Sequence, residues 1–158
     1  MILFLFSGCF SALFAVVAEL AVFSFLVPSG AGMDPWHLGL VSGLSVIGFV
    51  TFVFVAVIEE SLKLLVLNRQ TRQSSIARTW ATFALFGLGF ALTEIALASM
   101  TTDAGIIPPI PIIGILAIHT ITPVLYGLTI PFGRKRLFTV LIVGISAHLL
   151  YDVLLALA

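Results

Sequence analysis

Apolar residues run through most of the chain and are separated by short polar stretches. Five of the runs supply the ~20 apolar residues that a helix needs to cross a bilayer. They are residues 2 to 27, 38 to 67, 80 to 100, 112 to 131 and 137 to 157. Their length and their Leu, Ile, Val and Phe content favour helices over the shorter strands of a barrel. The pattern predicts an all-α fold, a polytopic transmembrane bundle of about five helices in a single domain over residues 1 to 158.

The composition indicates an integral membrane protein. Hydrophobic residues make up 61% of the chain, charged residues 9%, and the mean hydropathy is +1.26. The formal net charge is zero, so nothing favours binding to nucleic acid. Cys9 is the only cysteine, which excludes an internal disulfide and a cysteine-based metal cluster. It is interpreted as a helix residue, since no basic segment precedes it as in a lipoprotein signal.

The connections between the runs predict the orientation in the membrane. The first and third connections hold five of the seven prolines and no Lys or Arg. The second, NRQTRQSSIAR, and the fourth, GRKR, hold six of the seven basic residues. The positive-inside rule places these two in the cytoplasm, with the N-terminus inside and the C-terminus outside.

Seven ionisable residues lie within the apolar runs, where they are costly. They are Glu59, Glu60, Lys63, Glu94, His119, His148 and Asp152. Four unpaired carboxylates would cost on the order of 10 kcal/mol. Counted along the helices, the seven lie at overlapping depths, which predicts a polar cavity shared by four helices. Glu19 lies toward the outer end of the first run and is interpreted as a solvated or helix-pairing residue.

Helical spacing predicts contacts within this set. Glu59 and Glu60 both reach Lys63, at i+4 and i+3, so an internal ion pair can form. His148 and Asp152 are four residues apart, which lets the carboxylate orient the imidazole.

Two small or irregular positions predict close helix packing near the cavity. Gly87 shares a face with Phe90 and Glu94 and permits a neighbouring helix to approach. Pro123 cannot bond to the carbonyl of His119, so the backbone opens there. Open backbone at this depth is tolerated only against protein or a wet cavity.

The order of these motifs resembles the PrsW family of intramembrane proteases, relatives of the CAAX prenyl endopeptidases and bacterial immunity-type proteases. The resemblance covers residues 55 to 152 and is carried by EExxK (Glu59, Glu60, Lys63), FxxxE (Phe90, Glu94), His119 and HxxxD (His148, Asp152). It implies peptide-bond hydrolysis within a prokaryotic plasma membrane. The implied substrates are membrane proteins, such as single-pass anti-sigma factors.

The residue types suit hydrolysis, which needs a positioned water, a base and stabilisation of the oxyanion. Glu59 or Glu60 is the candidate base, with Glu60 preferred. The residue types and the resemblance together make His119, His148 and Glu94 candidate ligands for Zn²⁺, which would activate a bound water. A metal-free mechanism, with the histidines polarising the carbonyl, stays open. No serine stands in a GxSxG motif.

Two other functions remain compatible with the pattern. A catalytically inactive scaffold would use the cavity to bind partner helices and would need no base. A proton-coupled transporter would also place carboxylates and histidines in the membrane, but five helices without an inverted repeat suit alternating access poorly.

Overall fold

The computed structural model describes residues 2–26, 46–73, 79–101 and 108–157. These residues form five α-helices and one short 3-10 helix. The helices are α1 (Ile2–Leu26), α2 (Val46–Gln73), α3 (Trp80–Thr101), α4 (Pro109–Thr129) and α5 (Arg134–Leu157), and the 3-10 helix Ile130–Phe132 joins α4 to α5. The predicted all-α fold is confirmed, and Cys9 lies within α1.

The outer surface of the bundle is that of an integral membrane protein. α1, α3, α4 and α5 are long and apolar enough to cross a membrane. α2 is longer than any of them but carries charged residues in its second half. Large apolar side chains such as Phe6, Phe14 and Phe138 are more than half exposed on the outside of the bundle. Such a surface is stable against lipid tails and not against water.

Three predicted helix boundaries differ from the structure by three residues or more. α2 continues to Gln73, six residues beyond the predicted end, α4 begins at Pro109 instead of residue 112, and α5 begins at Arg134 instead of residue 137. The apolar run marks where lipid contact ends, whereas the helix continues because Arg and Gln are good helix formers. Pro109 fits the first helical position, where its missing N–H costs nothing. The predicted start of the second helix, at residue 38, lies outside the described residues.

α3 packs against α1 and α4, and these are the two most extensive helix contacts of the bundle. Glycines make this packing close. A Cβ on Gly8 of α1 would meet the Phe86 carbonyl of α3, and one on Gly89 would meet the Leu5 carbonyl of α1. The backbones of α1 and α3 therefore touch directly, as small residues allow in membrane bundles.

The predicted role of Gly87 in helix packing is confirmed, because a Cβ there would meet the carbonyl of His119 on α4. This is the carbonyl that Pro123, buried within α4, cannot bond. The backbones of α3 and α4 are thus in contact at Gly87 and His119.

α2 packs against α1, α4 and α5 and brings its charged residues to the inside. α5 has only Gly144 and His148 fully buried. A Cβ on Gly144 would meet the hydroxyl of Tyr126. His148 is therefore on the one narrow face of α5 that is turned inward.

Candidate functional site

The seven predicted residues come together on four helices. Glu59, Glu60 and Lys63 come from α2, Glu94 from α3, His119 from α4, and His148 and Asp152 from α5. The side chains of Glu60, Lys63 and His119 are 0% exposed, and that of His148 is 2% exposed. Exposure rises to 8% at Glu59, 15% at Asp152 and 32% at Glu94. The cluster is buried at one end and reaches the bundle surface at Glu94.

Glu60 is the most completely bonded carboxylate of the cluster. Its Oε1 lies 2.6 Å from Lys63 Nζ and 2.9 Å from His148 Nδ1. Its Oε2 accepts a hydrogen bond of 2.6 Å from the hydroxyl of Tyr126. Glu60 thus connects α2 to α4 and α5. Three partners on a fully buried carboxylate are the arrangement that makes its burial tolerable.

Lys63 lies at the centre of the cluster. Its Nζ is 2.6 Å from Glu60 Oε1, 3.5 Å from Glu59 Oε2 and 2.5 Å from His119 Nδ1. Nζ also lies 4.3 Å from the centre of the Phe90 ring, a cation–π distance. The predicted ion pairs of Lys63 with both glutamates are confirmed.

His119 is held on both edges and on one face. An ammonium group can only donate hydrogen bonds, so His119 Nδ1 accepts from Lys63 and the ring proton is assigned to Nε2. Nε2 lies 2.5 Å from Glu94 Oε2, but the angles do not meet those of a hydrogen bond, and neither atom has another partner among the described residues. Phe90 stacks on the ring with centroids 5.0 Å apart. This fixes the direction of Nε2 toward the open end of the cluster.

His148 is oriented by Glu60 more directly than by Asp152. Its Nδ1 donates to Glu60 Oε1 at 2.9 Å, whereas its Nε2 is 3.8 Å from Asp152 Oδ2, too far for a hydrogen bond. The expected pairing of His148 with Asp152 is therefore an electrostatic contact only. The i+4 spacing brought the two close, but a glutamate from another helix holds the ring.

Glu59 faces both imidazoles without a close bond to either. Its Oε2 is 3.7 Å from His119 Nδ1, 3.8 Å from His148 Nε2 and 3.5 Å from Lys63 Nζ. Glu59, His119 and His148 form a buried group that could hold a metal ion, with one ligand atom of each within 4.8 Å of the others. Glu94, the predicted third ligand, lies instead at His119 Nε2.

Sequence reasoning missed two residues of the site. Tyr126 lies two turns beyond His119 on the same face of α4, a spacing that could have indicated it. Glu19 of α1 is 7% exposed and its carboxyl group lies against that of Glu59. Glu19 is therefore not solvated but pairs α1 with α2, the second of the two roles predicted for it. Its partner could not be predicted, because α1 is apolar on all sides and its sequence does not distinguish an inner face.

Neither the protein-family models, nor the curated proteins, nor the solved structures give a match to this chain.

Proposed function

We propose that the chain is an intramembrane endopeptidase in which a glutamate activates the attacking water. The observation that carries the proposal is the position of Glu59. Its Oε2 lies within 3.5 to 3.8 Å of one ammonium group and two imidazole rings, all buried in a bundle with an apolar outer surface. A purely structural carboxylate at this depth would be closely paired, as Glu60 is.

The contacts favour Glu59 over Glu60 as the base, which reverses the preference drawn from the sequence. Both oxygens of Glu60 are engaged, by Lys63, His148 and Tyr126. Glu59 Oε2 has no ion-pair contact shorter than 3.5 Å in the described residues, and the same carboxyl group lies against that of Glu19. Glu59 is thus less closely engaged than Glu60, and a water can bridge its Oε2 and His148 Nε2. Glu60 is then a positioning residue that orients Lys63 and His148.

The chemistry follows from this assignment. Glu59 takes a proton from a water held by His148 Nε2, the nitrogen opposite the Glu60 contact. The water oxygen bonds to the carbonyl carbon of the substrate, and the charge that develops on the carbonyl oxygen is stabilised by the field of the Lys63 ammonium group, since the Nε2 edge of His119 faces Glu94. Glu59 then returns the proton to the amide nitrogen as the C–N bond breaks, which leaves a carboxylic acid and an amine.

A Zn²⁺ ion is the alternative activator, and its donor set is present in part. Imidazole nitrogens and a carboxylate are the ligands of catalytic zinc, and Zn²⁺ would supply a Lewis acid that acidifies a bound water. The Lys63 ammonium, however, lies 2.5 Å from His119 Nδ1 and occupies the coordinating direction of that nitrogen. Two cations cannot share it, so the metal-free arrangement fits the geometry better. Elemental analysis of the purified protein tests this point.

The surroundings of the site support a membrane-embedded substrate. Glu94 is 32% exposed on a bundle whose outer surface is apolar, so we infer that a substrate segment reaches the cluster from the lipid at Glu94. A single-pass membrane protein, such as an anti-sigma factor in a prokaryotic plasma membrane, is the substrate class that suits both this route from the lipid and the resemblance of the motifs.

The test is cleavage of synthetic transmembrane peptides by the purified protein in lipid nanodiscs. Glu59→Gln should lower kcat by at least about a thousandfold with little change in thermal stability, since the base is lost while the amide keeps the size and the hydrogen-bonding atoms of the side chain. Glu60→Gln should lower kcat and thermal stability together.

Peptide binding without cleavage by the parent protein would favour the scaffold function, and proton-coupled uptake in liposomes would favour the transporter function. Normal turnover by Glu59→Gln would overturn the proposed mechanism.

A further inference from the structure

Five exposed basic residues gather at one end of the bundle, which we call the basic end. They are Arg69 and Arg72 near the end of α2, and Arg134, Lys135 and Arg136 at the start of α5. α3 and α4 each cross the membrane between these helices, so α2 ends on the side where α5 begins. Just inside this end, Leu67 of α2 and Leu141 of α5 pack in one apolar cluster. The two basic segments are therefore neighbours.

No carboxylate in the described part of the chain neutralises the basic end. The carboxylates of the described residues lie in the buried cluster or against it, and they are Glu19, Glu59, Glu60, Glu94 and Asp152. Arg72 donates only to the neutral amide of Asn68. The first turn of α5 has no acidic residue, although positive charge is disfavoured at the start of a helix. The accumulated positive charge therefore attracts an anion.

The surface that continues from these charges along α5 is apolar and faces lipid. Phe138 lies four residues after Arg134 and three after Lys135, so the three side chains share a face of the helix. Ile142 continues this face by one further turn. Phe138 is 66% exposed and Ile142 47%. A ligand that covers this face needs a negative charge at one end and an apolar chain below it, which is the chemistry of an anionic phospholipid.

We propose that the start of α5 binds an anionic phospholipid, with the phosphate at Arg134 and Lys135 and an acyl chain along Phe138 and Ile142. A guanidinium group can donate two parallel hydrogen bonds to a phosphate, and the ammonium group of Lys135 adds a second positive charge. Arg136 lies outside the site, because its guanidinium carbon is 5.0 Å from the centre of the Phe132 ring. This binding does not depend on the proposed peptidase function.

The test uses a tryptophan placed within the site. Phe138→Trp, combined with Trp36→Phe and Trp80→Phe, leaves one tryptophan next to the proposed lipid. Its fluorescence is measured in nanodiscs that contain dibrominated phosphatidylglycerol or dibrominated phosphatidylcholine, since bromine quenches a tryptophan that it contacts. Each basic residue near the surface strengthens binding of an anionic lipid about fivefold. Phosphatidylglycerol should therefore bind at least about tenfold more tightly than phosphatidylcholine at this position.

Two controls separate a site from the general attraction of the basic end. Phe14→Trp in the same background reports lipid half way along α1, where Phe14 is 68% exposed, and should show no preference between the lipids. The double change Arg134→Gln, Lys135→Gln should remove most of the preference at Phe138→Trp. Arg72→Gln, Arg136→Gln removes the same charge from the same end and should leave most of it.

The outcomes decide the assignment. Equal quenching by the two lipids at Phe138→Trp overturns it and leaves the basic end to an acidic segment of a partner protein. Equal losses in the two double variants also overturn it, because the attraction would then come from the whole basic end. Inorganic phosphate, added at constant ionic strength, should not reduce the preference. A preference abolished by inorganic phosphate would show that the residues bind a soluble anion and no lipid.

Discussion

The Tyr126 hydroxyl donates a hydrogen bond of 2.6 Å to Glu60 Oε2 and so connects α4 to α2. Through Glu60 Oε1 the connection continues to His148 on α5. Tyr126 is 0% exposed, so no water replaces this bond if the hydroxyl is removed. One phenol group therefore helps to fix the carboxylate on which the position of His148 depends.

Tyr126→Phe should weaken both stability and catalysis. Leaving Glu60 Oε2 buried without its partner should cost roughly 1–3 kcal/mol in the free energy of unfolding. Turnover of a transmembrane peptide should fall about tenfold or more, because Glu60 can shift and carry His148 with it. Tyr151→Phe is the control, since that hydroxyl donates to the Pro111 carbonyl and not to Glu60. Equal effects of the two changes would show that the Glu60 contact has no special role.

The fold could be predicted from the sequence because the bilayer imposes a simple rule on it. Runs of about 20 apolar residues give the number of helices, and all five helices are found in the structure. The boundaries could not be predicted as well. Helix α2 leaves the apolar zone before it ends, so the apolar run does not mark its last residue, Gln73.

The site could be predicted in part, because charge in an apolar run is costly and must be grouped. The contacts of Lys63 with Glu59 and Glu60 follow from spacing within one helix. The bond from His148 to Glu60 joins two helices, and helical spacing gives no information on which residue of another helix a side chain meets. For the same reason the partner of Glu19 could not be named, although the helix-pairing alternative predicted for it agrees with its contact with Glu59 on α2.

Gly87→Ala should disturb the contact between α3 and α4. The added Cβ would meet the backbone carbonyl of His119, which cannot rotate away, so the helices must separate. The expected loss in the free energy of unfolding is about 1–3 kcal/mol, with a fall in kcat as His119 leaves its position between Lys63 and Glu94.

Gly114→Ala provides the comparison, measured in the same mixed-micelle unfolding and peptide-cleavage assays. The atoms nearest to its Cβ would be those of the Tyr151 ring, a side chain that can turn aside, and not backbone. It should cost less than Gly87→Ala and leave kcat near the parent value. The packing argument fails if Gly114→Ala proves the more harmful change.

The predicted orientation is tested by labelling single cysteines from each side of the membrane. Cys9→Ala removes the only native thiol. In that background, Lys135→Cys, in the basic start of α5, should react with an impermeant reagent only from the cytoplasmic side. Ile110→Cys, exposed at the start of α4, should react only from the outside. The reverse pattern would place the C-terminus in the cytoplasm and contradict the positive-inside assignment.

Lys63 should be the residue on which the stability of the cluster depends most. Its ammonium group contacts Glu59, Glu60 and His119, so Lys63→Met leaves two carboxylates facing each other without a cation. Breaking a buried ion pair by removing one partner costs about 3–5 kcal/mol, whereas replacing both partners by apolar residues is often neutral. The double variant Lys63→Met, Glu60→Leu should therefore have a free energy of unfolding closer to that of the parent than Lys63→Met alone has.

Both variants should lack peptidase activity. In each of them Glu59 loses its neighbouring positive charge, and in the double variant His148 also loses the carboxylate that orients it. Unfolding in mixed micelles gives the comparison. A double variant less stable than Lys63→Met would mean that Glu60 stabilises the bundle through Tyr126 and His148 even without the lysine.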